Sequence, residues 1–201
     1  MSEARILAVG GSPRKGGNSD SMLRALAEGA RDQGAAVEVV HLRDYAFSSC
    51  IGCERCRRDG ACTRLMDGMQ LLYPLVRECR GLVLAGPAHN YNCSALMKAF
   101  IDRLYCFYEF IDDHPRGYSS RLPDDGRVSA VLAVCEQMTR EEMGFTAEAM
   151  ALPLAPLGYE PLGRVEAFGV FHAGKVREQQ DTMAACTDLG AAMARRLKGG
   201  E

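Results

Sequence analysis

No stretch of this 201-residue chain approaches the ~18 uninterrupted apolar residues that a membrane-spanning helix needs. Nor is there a surplus of charge: 24 Lys and Arg stand against 26 Asp and Glu, a net charge of −2. That balance gives no ground for binding nucleic acid or an anionic membrane surface. No basic and apolar leader precedes the first strand pattern, so the expectation is a cytoplasmic chain. In that reducing setting nine cysteines read as ligands or redox groups rather than structural disulfides. Two nucleotide motifs are also missing. Gly11-x4-Gly16 is followed by Gly17-Asn18, not by the Lys-Ser/Thr of a Walker loop, and there is no G-x-G-x-x-G. The second strand pattern ends in His41-Leu42, without the acidic residue that would hold a ribose. With no internal repeat and no low-complexity stretch, residues 1–201 are expected to form one domain.

What is present begins with Arg5–Met22, RILAVGGSPRKGGNSDSM. Ile6–Val9 suits a strand buried on both faces, a glycine-rich loop follows, and Asn18 stands where a helix N-cap belongs. Strand, tight loop and helix N-terminus aim backbone N–H groups at one small volume, which attracts a phosphate. Ser12, Arg14, Asn18 and Ser19 would surround a single phosphate, as in a mononucleotide such as FMN. The alternative is a glycine-rich turn with no ligand. The pattern GSPRKGGNS resembles the phosphate loop of the flavodoxin-like NAD(P)H-dependent FMN reductase superfamily.

Further strands are read at Ala36–Leu42, Gly81–Ala85, Val128–Cys135 and Arg164–Phe171. Helices are read after Asn18, with Gly34 as the stop, after Asp67 as a cap, after Ser94 as a cap, over Arg140–Ala151 and over Val176–Leu197. Asp112–Arg127 reads as a surface loop or lid. Apolar strands alternating with helices make an α/β fold with a doubly wound, five-stranded parallel sheet in a three-layer αβα stack. The resemblance implies the flavodoxin order 2-1-3-4-5, with ligand at the carboxyl ends of the strands. The loops after strands 1, 3 and 4 would then meet, which adds Glu136 to the site. It also implies that Pro87, Ala88, His89, Asn90, Tyr91 and Asn92, ahead of a helix with Lys98, Asp102 and Arg103, hold the isoalloxazine edge. Backbone N–H groups there can hydrogen-bond the flavin and tune its potential. The bland reading of His89 and Tyr91 is an ordinary polar loop, and Lys98, Asp102 and Arg103 read as support for the helix or a subunit interface.

The most specific signal is Cys50-x2-Cys53-x2-Cys56-x5-Cys62, in a cysteine-rich insert at about residues 43–66. Four thiols so close, with Gly52 and Gly60 letting the backbone fold back, can surround one iron–sulfur cubane. Zinc, and free thiols or a disulfide switch, are the alternatives; zinc sites more often separate two C-x2-C pairs by ~15–20 residues. The compact motif resembles that of the iron–sulfur flavoproteins, a branch of the same superfamily, which implies a [4Fe-4S] cluster. Cys79, Cys135 and Cys186 read as core; Cys93, in the expected flavin loop, and Cys106, in the following helix, read as packing with a redox role as the alternative.

The resulting expectation is an FMN-dependent oxidoreductase in which flavin and cluster link one-electron to two-electron transfer, with no side chain acting as nucleophile. NAD(P)H is a candidate reductant, and a ferredoxin or similar protein a candidate redox partner. An FMN or quinone reductase without metal, and a non-enzymatic electron carrier or redox sensor, are the alternatives. The aromatic run Tyr105, Phe107, Tyr108 and Phe110 points to a homo-oligomer, dimer or tetramer, unless it packs within its own subunit.

Overall fold

The computed structural model describes residues 4–111 and 117–199. In chain order the elements are β1 (Arg5–Gly10), α1 (Asn18–Asp32), β2 (Ala36–His41), α2 (Arg55–Asp59), α3 (Met69–Glu78), β3 (Gly81–His89), β4 (Asn92–Cys93), α4 (Ala95–Arg103), β5 (Tyr108–Phe110), β6 (Tyr118–Ser120), β7 (Val128–Val134), α5 (Arg140–Met143), α6 (Thr146–Ala151), β8 (Glu160–Ala167) and α7 (Gln180–Leu197).

Along the path β2-β1-β3-β7-β8 every pairing is parallel, so the parallel strands follow the order 2-1-3-4-5. Side chains alternate across the pleat. Ile6, Ala8, Val83, Ala85, Ala130 and Leu132 meet Met22, Leu26, Met193 and Leu197 of α1 and α7. Leu7, Val9, Leu82, Leu84 and Val131 meet Leu72, Val76, Met97, Phe100 and Met150 of α3, α4 and α6. Two apolar cores on opposite faces make the three-layer stack; the central strands β1, β3 and β7 are buried on both faces, whereas the edge strands β2 and β8 stay largely exposed or half-buried. Among the described residues no helix is long and apolar enough to cross a membrane.

Several boundaries differ from the sequence reading. The third strand does not stop at Gly86-Pro87: Gly86 and Pro87 stay in register with Ala133 and Val134, and the chain then turns back so that β4 pairs antiparallel with β3. A sixth strand therefore joins the sheet. The expected helix over Arg140–Ala151 is split into α5 and α6 at Gly144, whose φ of +68° breaks the helix. The fifth parallel strand ends at Ala167 and leaves Phe168–Phe171 as a loop, and the last helix starts at Gln180 after a 3-10 turn over Lys175–Glu178. In the segment read as a lid, β6 pairs with β5, while 112–116 lie outside the described residues.

Asn18 is not the cap of α1. Gly17 occupies that position without any side-chain cap, and Asn18 is already helical. Its amide instead donates from Nδ2 to Val170 O at 3.3 Å and accepts at Oδ1 from the Val176 N–H at 3.2 Å. Ser94 does cap α4, accepting from the Met97 N–H at 3.2 Å. Gly34, at φ +74°, ends α1 by donating its N–H to Arg31 O.

Candidate functional site

At the carboxyl ends of β1, β3 and β7 lies a cleft of 690 Å³, within the usual range for small-ligand sites of about 300–1,000 Å³. One wall is the first loop: Ser12, Arg14, Gly17, Asn18 and Ser19. The opposite wall is Pro87–Tyr91, and Val134–Gln137 with Glu142 form the far end. Val170 and Phe171, read from the sequence as strand, close the side because the strand stops earlier and Asn18 pins their loop to α1. Of the residues expected here, Ser12, Arg14, Asn18, Ser19, Pro87, Ala88, His89, Asn90, Tyr91 and Glu136 all line the cleft; Asn92 does not. Asn92 pairs with His89, accepts the Cys93 N–H at Oδ1, and lines a separate groove.

The first loop is held in shape from within. Ser12 Oγ accepts the Arg14 N–H at 3.1 Å and lies the same distance from Arg14 O. Arg14 Nη1 donates to Phe171 O at 3.2 Å. The first-turn N–H groups of α1 lack intrahelical acceptors by the geometry of any helix, so they face the cleft as donors. Two residues absent from the sequence reading brace this loop. Asp20, only 6% exposed at its side chain, accepts the Gly16 N–H at 2.9 Å and pairs with Arg43 at 2.9 Å. Arg43 also donates to Ser12 O at 3.1 Å. The Arg43 guanidinium offsets the Asp20 charge beneath the loop. Nothing in the local pattern joins positions 20 and 43, which only the β1–β2 pairing brings together.

The second wall is a two-residue turn between β3 and β4. Asn90 (φ 49°) and Tyr91 (φ 62°) are both left-handed, the type I′ pattern, which tyrosine rarely adopts. Strain of this kind concentrates at ligand-binding turns. The turn is clamped from outside: Tyr91 O accepts the Phe145 N–H at 2.7 Å. Ser94, just beyond it, donates from Oγ to Gly11 O at 2.6 Å and so locks the two walls together.

The cysteine segment lies apart from this cleft. Positive φ at Gly52, Glu54 and Gly60 folds the chain around the short α2. Cys50 and Cys53 are exposed, and Cys56 and Cys62 are half-buried. All four line one pocket of 200 Å³ together with Arg55, Arg64, Arg103 and Tyr105. Burial pushes the Cys56 thiol up, reinforced by Cys62, Cys50 and Cys53 nearby. In this conformation, among the described residues, no three His, Cys, Asp or Glu side chains are placed to hold a metal ion. Cys79, Cys93, Cys106, Cys135 and Cys186 are buried, as expected. Cys106 sits beneath the segment, its thiol pushed up to about 12 by burial and then by Cys56 and Cys62. Lys98 pairs with Asp102 across one helical turn, whereas Arg103 turns inward to the cysteine segment.

A family model described as NADPH-dependent FMN reductase matches residues 4–140. The chain belongs to this family. Within it the chain falls in the iron–sulfur flavoprotein branch. An iron–sulfur flavoprotein of Archaeoglobus fulgidus is 32% identical over 190 residues, 94% of this chain and 79% of that protein. One from Methanosarcina thermophila is 31% identical over 99 residues, so the match spans only about half of each chain. The NAD(P)H:quinone oxidoreductase of Methanothermobacter marburgensis shares the fold, with a TM-score of 0.72 at 16% identity over 96% of this chain and 98% of that one. The chain is accordingly an FMN-dependent oxidoreductase of flavodoxin-like fold.

Proposed function

We propose that this reductase, a single domain with a cysteine-rich insert at 43–66, binds FMN in the cleft and a [4Fe-4S] cluster on the insert, linking one-electron donors to two-electron acceptors. In this reading Ser12, Arg14, Asn18 and Ser19 hold the phosphate. Asn18 does so through its backbone, since its side-chain amide is committed to Val170 and Val176. The amides at the start of α1 and the Arg14 guanidinium supply positive potential where the phosphate belongs. Pro87–Tyr91 and Glu136 border the isoalloxazine, and Asn92 acts only by setting the turn. Bound FMN supplies hydride or single-electron chemistry; the chain binds and orients it and limits water at its edge.

The observation that carries the cluster is that four thiols line one small pocket beside Arg55, Arg64 and Arg103. The donor set fits an iron–sulfur centre, and those cations favour an anionic centre there. Cys50, Cys53, Cys56 and Cys62 would be the ligands. The rival, an FMN or quinone reductase with free thiols, is favoured by the open arrangement of those thiols. NAD(P)H and a ferredoxin-like protein are the proposed electron sources. A homo-oligomer, dimer or tetramer, would cover the exposed Tyr91, Phe145 and Leu152 and the Tyr105, Tyr108, Phe110 and Tyr118 groove.

Anaerobic purification with iron, sulfide and flavin assays tests both halves. FMN with iron and acid-labile sulfide is expected, and Cys53→Ala should lose the iron and keep FMN. Arg14→Ala should weaken FMN binding by about 1–2 kcal/mol, the scale of a charge-assisted hydrogen bond at a partly exposed site. Anaerobic reconstitution that leaves a flavin spectrum alone would remove the cluster and favour the rival. Unchanged FMN affinity in Arg14→Ala would remove the phosphate assignment.

A further inference from the structure

A buried guanidinium sits at the base of the cysteine segment. Arg103, the last residue of α4, is 2% exposed. Burying an arginine is costly unless its donors are matched, and its planar fork suits bidentate carboxylate pairing. Here it is matched. Nη1 and Nη2 reach the two oxygens of Asp67 at 2.8 and 3.1 Å, Nη1 also donates to Ser48 O at 2.8 Å, Nη2 lies 3.4 Å from Leu65 O, and Nε donates to Tyr73 Oη at 3.0 Å. Ser48 and Leu65 flank the Cys50–Cys62 run on either side. Asp67 closes the same mouth by accepting the Ser48 N–H at 3.1 Å and the Met69 N–H at 3.1 Å. Arg103 also lines the pocket that the four thiols share.

We propose that Arg103, with Asp67, is the positioning residue of the cysteine pocket. Its fork fixes the mouth of the 48–65 loop, and its charge faces the volume where an anionic centre belongs. The charge half rests on the proposed cluster; the clasp half stands on the hydrogen bonds alone. Pinning both ends of a loop removes most of the closure entropy from whatever the loop then binds. A fixed cation beside an anionic centre favours its reduced, more negative state and raises its potential. Lysine keeps the charge but not the fork, so the two contributions separate.

The test compares wild type, Arg103→Gln, Arg103→Lys and Asp67→Asn. Amide hydrogen exchange on the metal-free, FMN-loaded proteins reads the clasp. Exchange within 48–65 should rise about tenfold or more in all three variants, the loss of a local fastening, with β1 and β3 unchanged. Potentiometry of the reconstituted proteins reads the charge. The cluster potential should fall in Arg103→Gln and return towards wild type in Arg103→Lys. Wild-type exchange in the variants overturns the clasp. An unchanged potential in Arg103→Gln overturns the electrostatic role. A wild type that takes up no iron defeats the cluster reading and with it the charge half, while the exchange result still decides the clasp. Should Arg103→Gln not fold, the near-isosteric Asp67→Asn carries the exchange measurement.

Discussion

Substituting Gly190 by alanine sets two effects of opposite sign against each other. Glycine inside a helix is about 1 kcal/mol worse than alanine, so α7 alone would gain from Gly190→Ala. A Cβ at that position, however, would lie 2.0 Å from Leu26 O and 3.1 Å from Ala30 N of α1. The contact is reciprocal: a Cβ on Gly29 would lie 2.1 Å from Thr187 O. The obstacle is backbone in both cases and cannot rotate away. To reach an ordinary contact near 3.4 Å the helices must part by roughly 1.4 Å. Gaps of 0.5–1 Å already forfeit about a quarter to a half of a dispersion contact, and here the loosened side chains are Leu26, Met193 and Leu197. Overpacking of this sort typically costs about 1–3 kcal/mol. The clash therefore wins, and about 2 kcal/mol of destabilisation is expected, or roughly 4–8 °C in melting temperature for a domain of this size. Denaturant unfolding of FMN-free protein measures it. Because the same parting of helices relieves both sites, Gly29→Ala with Gly190→Ala should cost clearly less than the two single changes added together. A Gly190→Ala variant more stable than wild type would show that propensity alone operates and that the helices do not meet backbone to backbone.

Two further changes probe the cleft and the clasp. Gly144 has φ +68°, and a Cβ on it would lie 2.3 Å from Tyr91 O; Gly144→Ala should cost about 2–3 kcal/mol through strain and displacement of the Tyr91 turn. Although Gly144 does not line the cleft, FMN dissociation should rise about tenfold through that displaced wall, and an unaltered FMN affinity by fluorescence titration would contradict the idea. For Asp67, burial alone would raise the carboxyl, but hydrogen bonds from Arg103, Ser48 and Met69 hold it below the ordinary carboxylate value. A depressed folded pKa contributes stability above the unfolded value near 3.9 and loses it as pH falls through the folded value. The stability gap between wild type and Asp67→Asn should therefore be level from about pH 5 to 7 and shrink below about pH 4, and a gap that stays level down to pH 3 would refute the shift.

The centre of the parallel sheet was legible because β1, β3 and β7 are short apolar runs between turn residues; the edge strand β8, EPLGRVEA, is mostly polar and exposed, so its first four residues carried no such signal. Ser94 and Gly34 were legible as helix punctuation because capping is local chemistry. The split at Gly144 was not, since a helical pattern on both sides hides a break that depends on close approach to the distant Tyr91 turn. The hairpins β3–β4 and β5–β6 were missed for a similar reason: two- and three-residue strands carry too little periodicity to be seen. Of the cleft, the glycine-rich first loop was legible from local pattern and the Pro87–Tyr91 wall only from the family resemblance, whereas Phe171 comes from a strand that ends early. The position of Asn18 fits a cap; what the pattern cannot show is that Val170 and Val176 compete for its amide and win. Arg43 and Asp20 carried no signal, because their partnership exists only once β1 and β2 lie side by side.

The same bracing bears on how the two halves of the molecule depend on each other. The cysteine segment leaves the sheet through Arg43, whose guanidinium holds the Ser12 carbonyl and Asp20, and it returns through the Arg103–Asp67 pairing at the end of α4. The start of α4 is in turn fixed to the first loop by the bond from Ser94 to Gly11 O. Both exits of the segment are therefore tied to the walls of the cleft by contacts that lie outside the run from Cys50 to Cys62. Opening of that run, with few buried apolar groups of its own, is a local event that ends at the ties. A change within the run should leave the cleft intact, while a change at Arg43 or Ser94 should disturb it. Dependence thus runs in one direction: the cysteine pocket needs the cleft's framework, but the cleft does not need the pocket.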